Sequence, residues 1–214
     1  MPPSGVRWLL ICVATLRHGS VTGTQTNGAL QIGDYLTPRG GQADANVLHT
    51  YWAGANNIFN AAANPATAQQ VTGQSAQIAV GQIAALQAAG AQYIVVMNLP
   101  DIGVTPQFRG TAQSASVSGL VFVFNNTLNA GLATLGDGII PINTYGLINE
   151  IMLDPGRYGL DNVTGTACNL ALTGGSSLFC TPAAYVSPDA NETYLFADGV
   201  HPTGIAHAML ASVL

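Results

Sequence analysis

Asp198 and His201 stand three residues apart in Phe196-Ala197-Asp198-Gly199-Val200-His201-Pro202-Thr203. In a turn built of glycine and proline, a carboxylate at that spacing can orient an imidazole, select its tautomer and raise its basicity. An imidazole held this way is a general base for a hydroxyl or water nucleophile. The same pair also fits a plain structural role, with the aspartate capping the following helix and the histidine packed beside it. Pro202 suits a first helical position, which places His201 on the N-cap side of that helix.

A second segment with chemical use is Gly54-Ala55-Asn56-Asn57, directly after an apolar strand. A side-chain amide and a glycine N–H together bind a developing oxyanion without bringing charge. Glycine also lets a substrate approach the backbone closely. Asn and Gly are ordinary turn formers as well, so taken alone this segment reads as a strand-end turn.

Other reactive side chains are fewer. Asp198, His201 and His207 are metal-ligating types, but no cysteine or glutamate falls at ligand spacing, and His18 and His49 stand apart. No metal is expected. His207, on the apolar stretch Gly204-Ile205-Ala206-His207-Ala208-Met209-Leu210, reads as a core or rim histidine. Of the three cysteines, Cys168 and Cys180 bracket a loop rich in Gly, Ser and Thr, and Cys12 lies in an apolar run. A Cys168–Cys180 disulfide would order that loop in an oxidising compartment, and two free thiols are the alternative.

The elements that must position these groups alternate in type. Val47–Trp52 is a short apolar strand, and 65–89 a helix with Val71, Ile78, Ile83 and Leu86 on one face. Tyr93–Leu99 is read as a β-branched run of the kind buried on both faces of a parallel sheet. The spacing predicts a second long helix over Ala112–Leu135, with Leu120, Val121, Phe124, Leu128 and Leu132 on its buried stripe. A strand over Gly138–Asn143, a helix over Tyr145–Leu153, mostly loop over 156–195 and a closing helix over Pro202–Leu214 complete the pattern. This order implies an α/β fold, a three-layer α/β/α sandwich with a mainly parallel sheet. In such folds functional groups gather at the carboxyl ends of strands, where Gly54–Asn57 and Asp101–Gly103 both fall.

The chain has 214 residues, enough for one substantial core, and 48% of them are hydrophobic. Charged residues make up 7% against an ordinary share of about a quarter. All five basic residues are arginines and the net charge is −5. A nucleic-acid partner needs a basic stripe that is missing here. The run Trp8–Thr15 is too short to span a bilayer and lacks a cleavage site after it, so it reads as a buried strand or an imported start.

Taken together, Trp52-Ala53-Gly54-Ala55-Asn56-Asn57-Ile58-Phe59 and the block from Phe196 to Thr203 resemble the GDSL/SGNH hydrolase family. The likeness is nearest to the esterase passenger domains of bacterial autotransporters. The segment Val95-Val96-Met97-Asn98-Leu99-Pro100-Asp101-Ile102-Gly103 and the cysteine pair are also similar to that subgroup. The resemblance covers residues 21–214 as a hydrolase-like domain and leaves 1–20 as an atypical segment. It implies a flavodoxin-like hydrolase of carboxylic esters, secreted or displayed on the bacterial surface, acting on small ester or lipid substrates without a cofactor. By matched position His201 would be the base, Asp198 its orienting partner, and Gly54 with Asn56 the oxyanion hole.

The chain departs from that family twice. Asn57 stands where an aspartate is usual. More seriously, no Gly-Asp-Ser occurs: Gly33-Asp34 is followed by Tyr35, and Gly136-Asp137 by Gly138. The N-terminus therefore reads as shortened, with the first strand and its nucleophile missing. Ser20, in His18-Gly19-Ser20-Val21, is the serine best placed by order. Ser75, Ser114, Ser116 and Ser118 fall in helices and are expected to face solvent, and Ser176, Ser177 and Ser187 lie in the late loop. The rival expectation is a non-catalytic passenger remnant that binds a surface or glycan. A missing first strand would bare a sheet edge and favour a dimer unless Trp8–Thr15 replaces it.

Overall fold

The computed structural model describes the backbone of Arg7–Val13 and the whole of residues 28–213. The chain divides into two compact units, Met1–Leu99 with Gly119–Asn143, and Pro100–Ser118 with Thr144–Leu214.

The first unit contains β1 (Arg7–Val13), α1 (Gly28–Leu36), β2 (Val47–Ala53), α2 (Ala55–Ala62), α3 (Ala68–Ala88) and β3 (Tyr93–Met97). It continues through most of α4 (Ser114–Leu132) to β4 (Ile139–Ile142). The four strands form one sheet in the order β1-β2-β3-β4, every pair parallel. The class is the α/β one that the alternating pattern implies. In β3, Ile94, Val95, Val96 and Met97 are all buried, as an apolar run in a parallel sheet requires. Val13 pairs with Ala53, so β1 ends level with the residue before Gly54. The dimer expectation rested on a bare edge at β2; β1 occupies that edge.

Helix α4 buries the stripe predicted for it, Leu120, Val121, Phe124, Leu128 and Leu132. Helix α3 does not. Its buried face is Ala68, Thr72, Ala76, Ala79, Ile83 and Leu86, while Val71 and Ile78 lie outward, Ile78 61% exposed. Small residues let helices approach, and the large apolar side chains misled the periodicity count. A similar economy joins α3 to α4, where any side chain at Gly131 would overlap Val80.

Helix α1 has no counterpart in the sequence reading. It is pinned by Tyr35, whose hydroxyl meets Nε2 of His49 at 3.0 Å and accepts the Asp44 N–H at 3.0 Å. His49 is fully buried in β2. Burial lowers its pKa, with backbone groups of Tyr93 and Val47 and the charge of Asp44 opposing. Its role is to hold the core together.

Asn125 of α4 supplies the other buried polar clamp. Its amide accepts the Leu99 N–H and donates to the Leu99 carbonyl, both at 2.8 Å. The two backbone groups that leave the sheet after β3 are thereby satisfied; either one left bare would cost about 1–3 kcal/mol.

The second unit holds α5 (Thr144–Leu153), β5 (Asn162–Thr166), α6 (Ala190–Thr193), β6 (Tyr194–Phe196) and α7 (Gly204–Ala211). Ile151, Leu160, Val163, Leu195, Phe196 and Ala206 form its core. The span 156–195, expected to be mostly loop, contains β5 and runs into β6, and the two strands pair in parallel. In β5 only Val163 is apolar and buried, too little alternation to read from sequence. Helix α7 begins at Gly204, not Pro202. Thr203 caps it by accepting the Ala206 N–H at 3.4 Å, and its hydroxyl donates to the Tyr194 carbonyl at 2.7 Å. Pro202 bridges to Phe196 instead. No described helix is long and apolar enough to cross a membrane.

Candidate active site

Strand β6 runs directly into the turn Asp198–His201, which the Ala197 N–H closes by donating to the His201 carbonyl at 2.8 Å. The turn is packed from one side by Gln107, whose N–H donates to the Gly199 carbonyl at 2.9 Å. Within it the Asp198 side chain folds back on its own backbone. Oδ1 accepts the N–H groups of Val200 at 3.0 Å and His201 at 2.8 Å. Oδ2 accepts the N–H of Ser177 at 2.8 Å. The His201 ring then presents Nδ1 to both oxygens, 2.9 Å from Oδ1 and 2.8 Å from Oδ2.

Burial and exposure divide the pair. The Asp198 side chain is 4% exposed, that of His201 62%. Burial by itself pushes the Asp198 carboxyl up, but hydrogen bonds from His201, Ser177 and Val200 outweigh it and hold the group well below the ordinary carboxylate range. The bond to Asp198 raises the His201 pKa, burial opposing and the carboxylate charge adding to the rise. A permanently ionised acceptor on Nδ1 fixes the proton there and leaves Nε2 as the basic nitrogen. Among the described residues Nε2 has no hydrogen-bond partner. His207 lies on the exposed rim of α7, where partial desolvation of the ring and the charge of His201 lower its pKa.

In the first unit, Gly54 stands between β2 and α2 as the helix N-cap, with φ +123, a conformation that other residues rarely adopt. A Cβ there would overlap the Phe124 ring. The Gly54 carbonyl accepts the N–H groups of Asn57 and Ile58, so the Ala55 and Asn56 N–H groups belong to the unpaired first turn of α2. Asn56 is half-buried and its amide makes no side-chain hydrogen bond to a described residue. Asn57, at the position where the resemblance implies an aspartate, donates to Ser75 Oγ at 3.1 Å and so ties α2 to α3. The carboxyl ends of the strands are laced together. The Trp52 indole N–H donates to the Asn98 carbonyl at 3.2 Å, and the Asn98 amide to Asn143 Oδ1 at 3.0 Å. Beside Gly54 lies a cavity of about 300 Å³. Ala53, Ile78, Ala79 and Phe124 form its apolar wall; Tyr51, Asn57, Ser75 and Gln82 line the rest.

The structure thus brings Asp198 to His201 in one unit, and Gly54 to Asn56 in the other. Cys168 and Cys180 are joined by a disulfide. Ser20 lies outside the described residues. The helical serines are engaged locally, and only Ser116 is exposed as expected; Ser75 is half-buried beside the cavity. Ser114 donates to the Gly103 carbonyl and Ser118 to Asp101 Oδ1, which also accepts the Gly103 N–H. These bonds make Asp101–Gly103 a structural corner. The residue that sequence reasoning missed is Ser177, whose backbone reaches Asp198 across 21 positions. Its signal was its place three residues before Cys180.

The family model for GDSL-like lipase/acylhydrolase matches residues 16–214. Esterase EstA of Pseudomonas aeruginosa is 35% identical over 187 residues, covering 83% of this chain and 27% of its own length. Lipase 1 of Photorhabdus luminescens is 26% identical over 246 residues, covering 85% and 38% respectively. An uncharacterised protein from the trpE-trpG intergenic region of Pseudomonas putida is 35% identical over 179 residues, covering 79% and 28%. The chain therefore spans well under half the length of these relatives.

Proposed function

The chain belongs to the GDSL-like lipase/acylhydrolase family, and from that premise we propose that it hydrolyses short-chain carboxylic esters with His201 as general base. The observation that carries this reading is the Asp198–His201 geometry: a buried, fully hydrogen-bonded carboxylate holding Nδ1 of an exposed imidazole. In this reading Nε2 takes the proton from a serine hydroxyl or a water molecule as its oxygen attacks the ester carbonyl carbon. The carbonyl electron pair moves onto oxygen, where the Asn56 amide and N–H groups at the Gly54 turn stabilise it. Collapse reforms the carbonyl, breaks the bond to the alcohol oxygen, and returns the proton from His201 to that oxygen. If serine is the nucleophile, water repeats the cycle to release the acid.

The cavity beside Gly54 supports a short acyl chain: about 300 Å³ lies at the small end of ligand pockets. The Cys168–Cys180 disulfide supports a location outside the reducing cytoplasm, secreted or on the bacterial surface.

A pH–rate profile with p-nitrophenyl butyrate tests the base. His201 must be neutral to act, and its pKa is raised above 6.5, the ordinary histidine value. Activity is therefore expected to be absent at low pH and to rise through a midpoint above 6.5. A limb at or below the ordinary value would mean that Asp198 does not hold the catalytic ring.

A further inference from the structure

The Asp198 carboxylate is gripped from two directions. Its own turn supplies two N–H donors to Oδ1. Those donors share one oxygen, and the other oxygen takes no N–H from the backbone of its own turn. The other oxygen receives an N–H from a distant loop, Ser177 at 2.8 Å.

That loop is closed on Asp198 by a circuit of bonds. The Cys168 N–H donates to the carbonyl of Ala197, the residue before Asp198, at 3.0 Å. The disulfide links Cys168 to Cys180, and the Cys180 N–H donates to the Ser177 carbonyl at 3.0 Å. Ser176 caps the short turn Ser177–Phe179, its hydroxyl accepting the Leu178 N–H at 3.2 Å. Cys168 is buried at one end of the circuit, and the Ser177 N–H meets Asp198 at the other.

We infer that the Ser177 N–H, held in place by the Cys168–Cys180 loop, is a positioning group for His201: it anchors Oδ2, the Asp198 oxygen that stands 2.8 Å from Nδ1. This rests on the reading of His201 as the base. The titratable groups that act on the ring are Asp198 in its own turn and His207 on α7. Because the loop is covalently closed, the inference also makes the basicity of His201 depend on the disulfide.

Ser177→Pro removes the N–H with little backbone conflict. Position 177 opens a short helical turn, and Ser176 has the extended conformation (φ −124, ψ 133) that a following proline requires. Ser177→Ala keeps the N–H and removes the hydroxyl. The readout is the His201 titration midpoint, followed by ¹⁵N NMR of the ring without substrate. Wild type and Ser177→Ala are expected to share a midpoint above 6.5, and Ser177→Pro to fall toward that ordinary value. Wild type with the disulfide reduced is expected to shift the same way. With p-nitrophenyl butyrate, Ser177→Pro should lose about tenfold in kcat with KM unchanged, the worth of one hydrogen bond to a charged group. An unchanged or raised midpoint in Ser177→Pro, or equal midpoints in the two variants, would overturn the inference. Should Ser177→Pro fail to fold, an unchanged midpoint in reduced wild type overturns it. A shifted midpoint without ester turnover would retain the positioning role and sink the esterase reading.

Discussion

His201→Ala is expected to lower kcat/KM for p-nitrophenyl butyrate by about a thousandfold, the middle of the range for a general base. The fold should tolerate the change. The ring is 62% exposed, and Asp198 keeps three backbone donors when it is gone. A base that also returns its proton to the leaving alcohol serves both halves of the reaction, so its loss is felt in kcat more than in KM. What remains after truncation is the contribution of substrate binding and of the oxyanion donors. Unaltered unfolding behaviour alongside the kinetic loss would separate chemistry from damage. A loss of less than tenfold would leave His201 outside the mechanism.

Gly54→Ala should produce the largest stability change, about 4 kcal/mol. Two costs add. A residue other than glycine at φ +123 is strained by roughly 1–3 kcal/mol. The new methyl would also overlap the Phe124 ring, which is 1% exposed, a further 1–3 kcal/mol or so. Denaturant unfolding gives the number, and a double-mutant cycle gives its cause. Phe124→Leu opens space where the methyl must go, so the two changes together should cost less than their sum. Strict additivity would show that the ring is not the obstacle. The same overlap explains why the turn that carries the proposed oxyanion donors accepts glycine at its first position.

Much of this was legible in the residues themselves. The apolar run of β3 and the buried stripe of α4 declare their surroundings directly, because a parallel strand covered on both faces has no place for polar side chains. The Asp198–His201 pair was visible because a three-residue turn is local and needs no knowledge of the rest of the chain. The missing pieces are long-range or made of small residues. Helix α1 depends on Tyr35 reaching His49 in β2. Apart from Ile83 and Leu86, the face of α3 is written in alanine and threonine, which carry little hydropathy signal, while Ile78 borders the cavity. Helix α7 starts two residues later than the Pro202 start expected for it because Thr203 caps it with a hydroxyl that also bonds Tyr194. The Ser177 contact joins positions 21 apart through a backbone N–H, which every non-proline residue has, so its side-chain type gave no hint.

The absence of a Gly-Asp-Ser block keeps the passenger-remnant reading as the rival. In that reading Asp198 and His201 persist as a well-bonded turn with no ester to act on. The measurement that decides between them most directly is the steady-state hydrolysis of p-nitrophenyl butyrate by the purified wild-type chain at pH 8, against the same buffer without protein. The esterase account predicts saturable turnover, many cycles per chain, well above the buffer rate. A rate equal to that of buffer would contradict it.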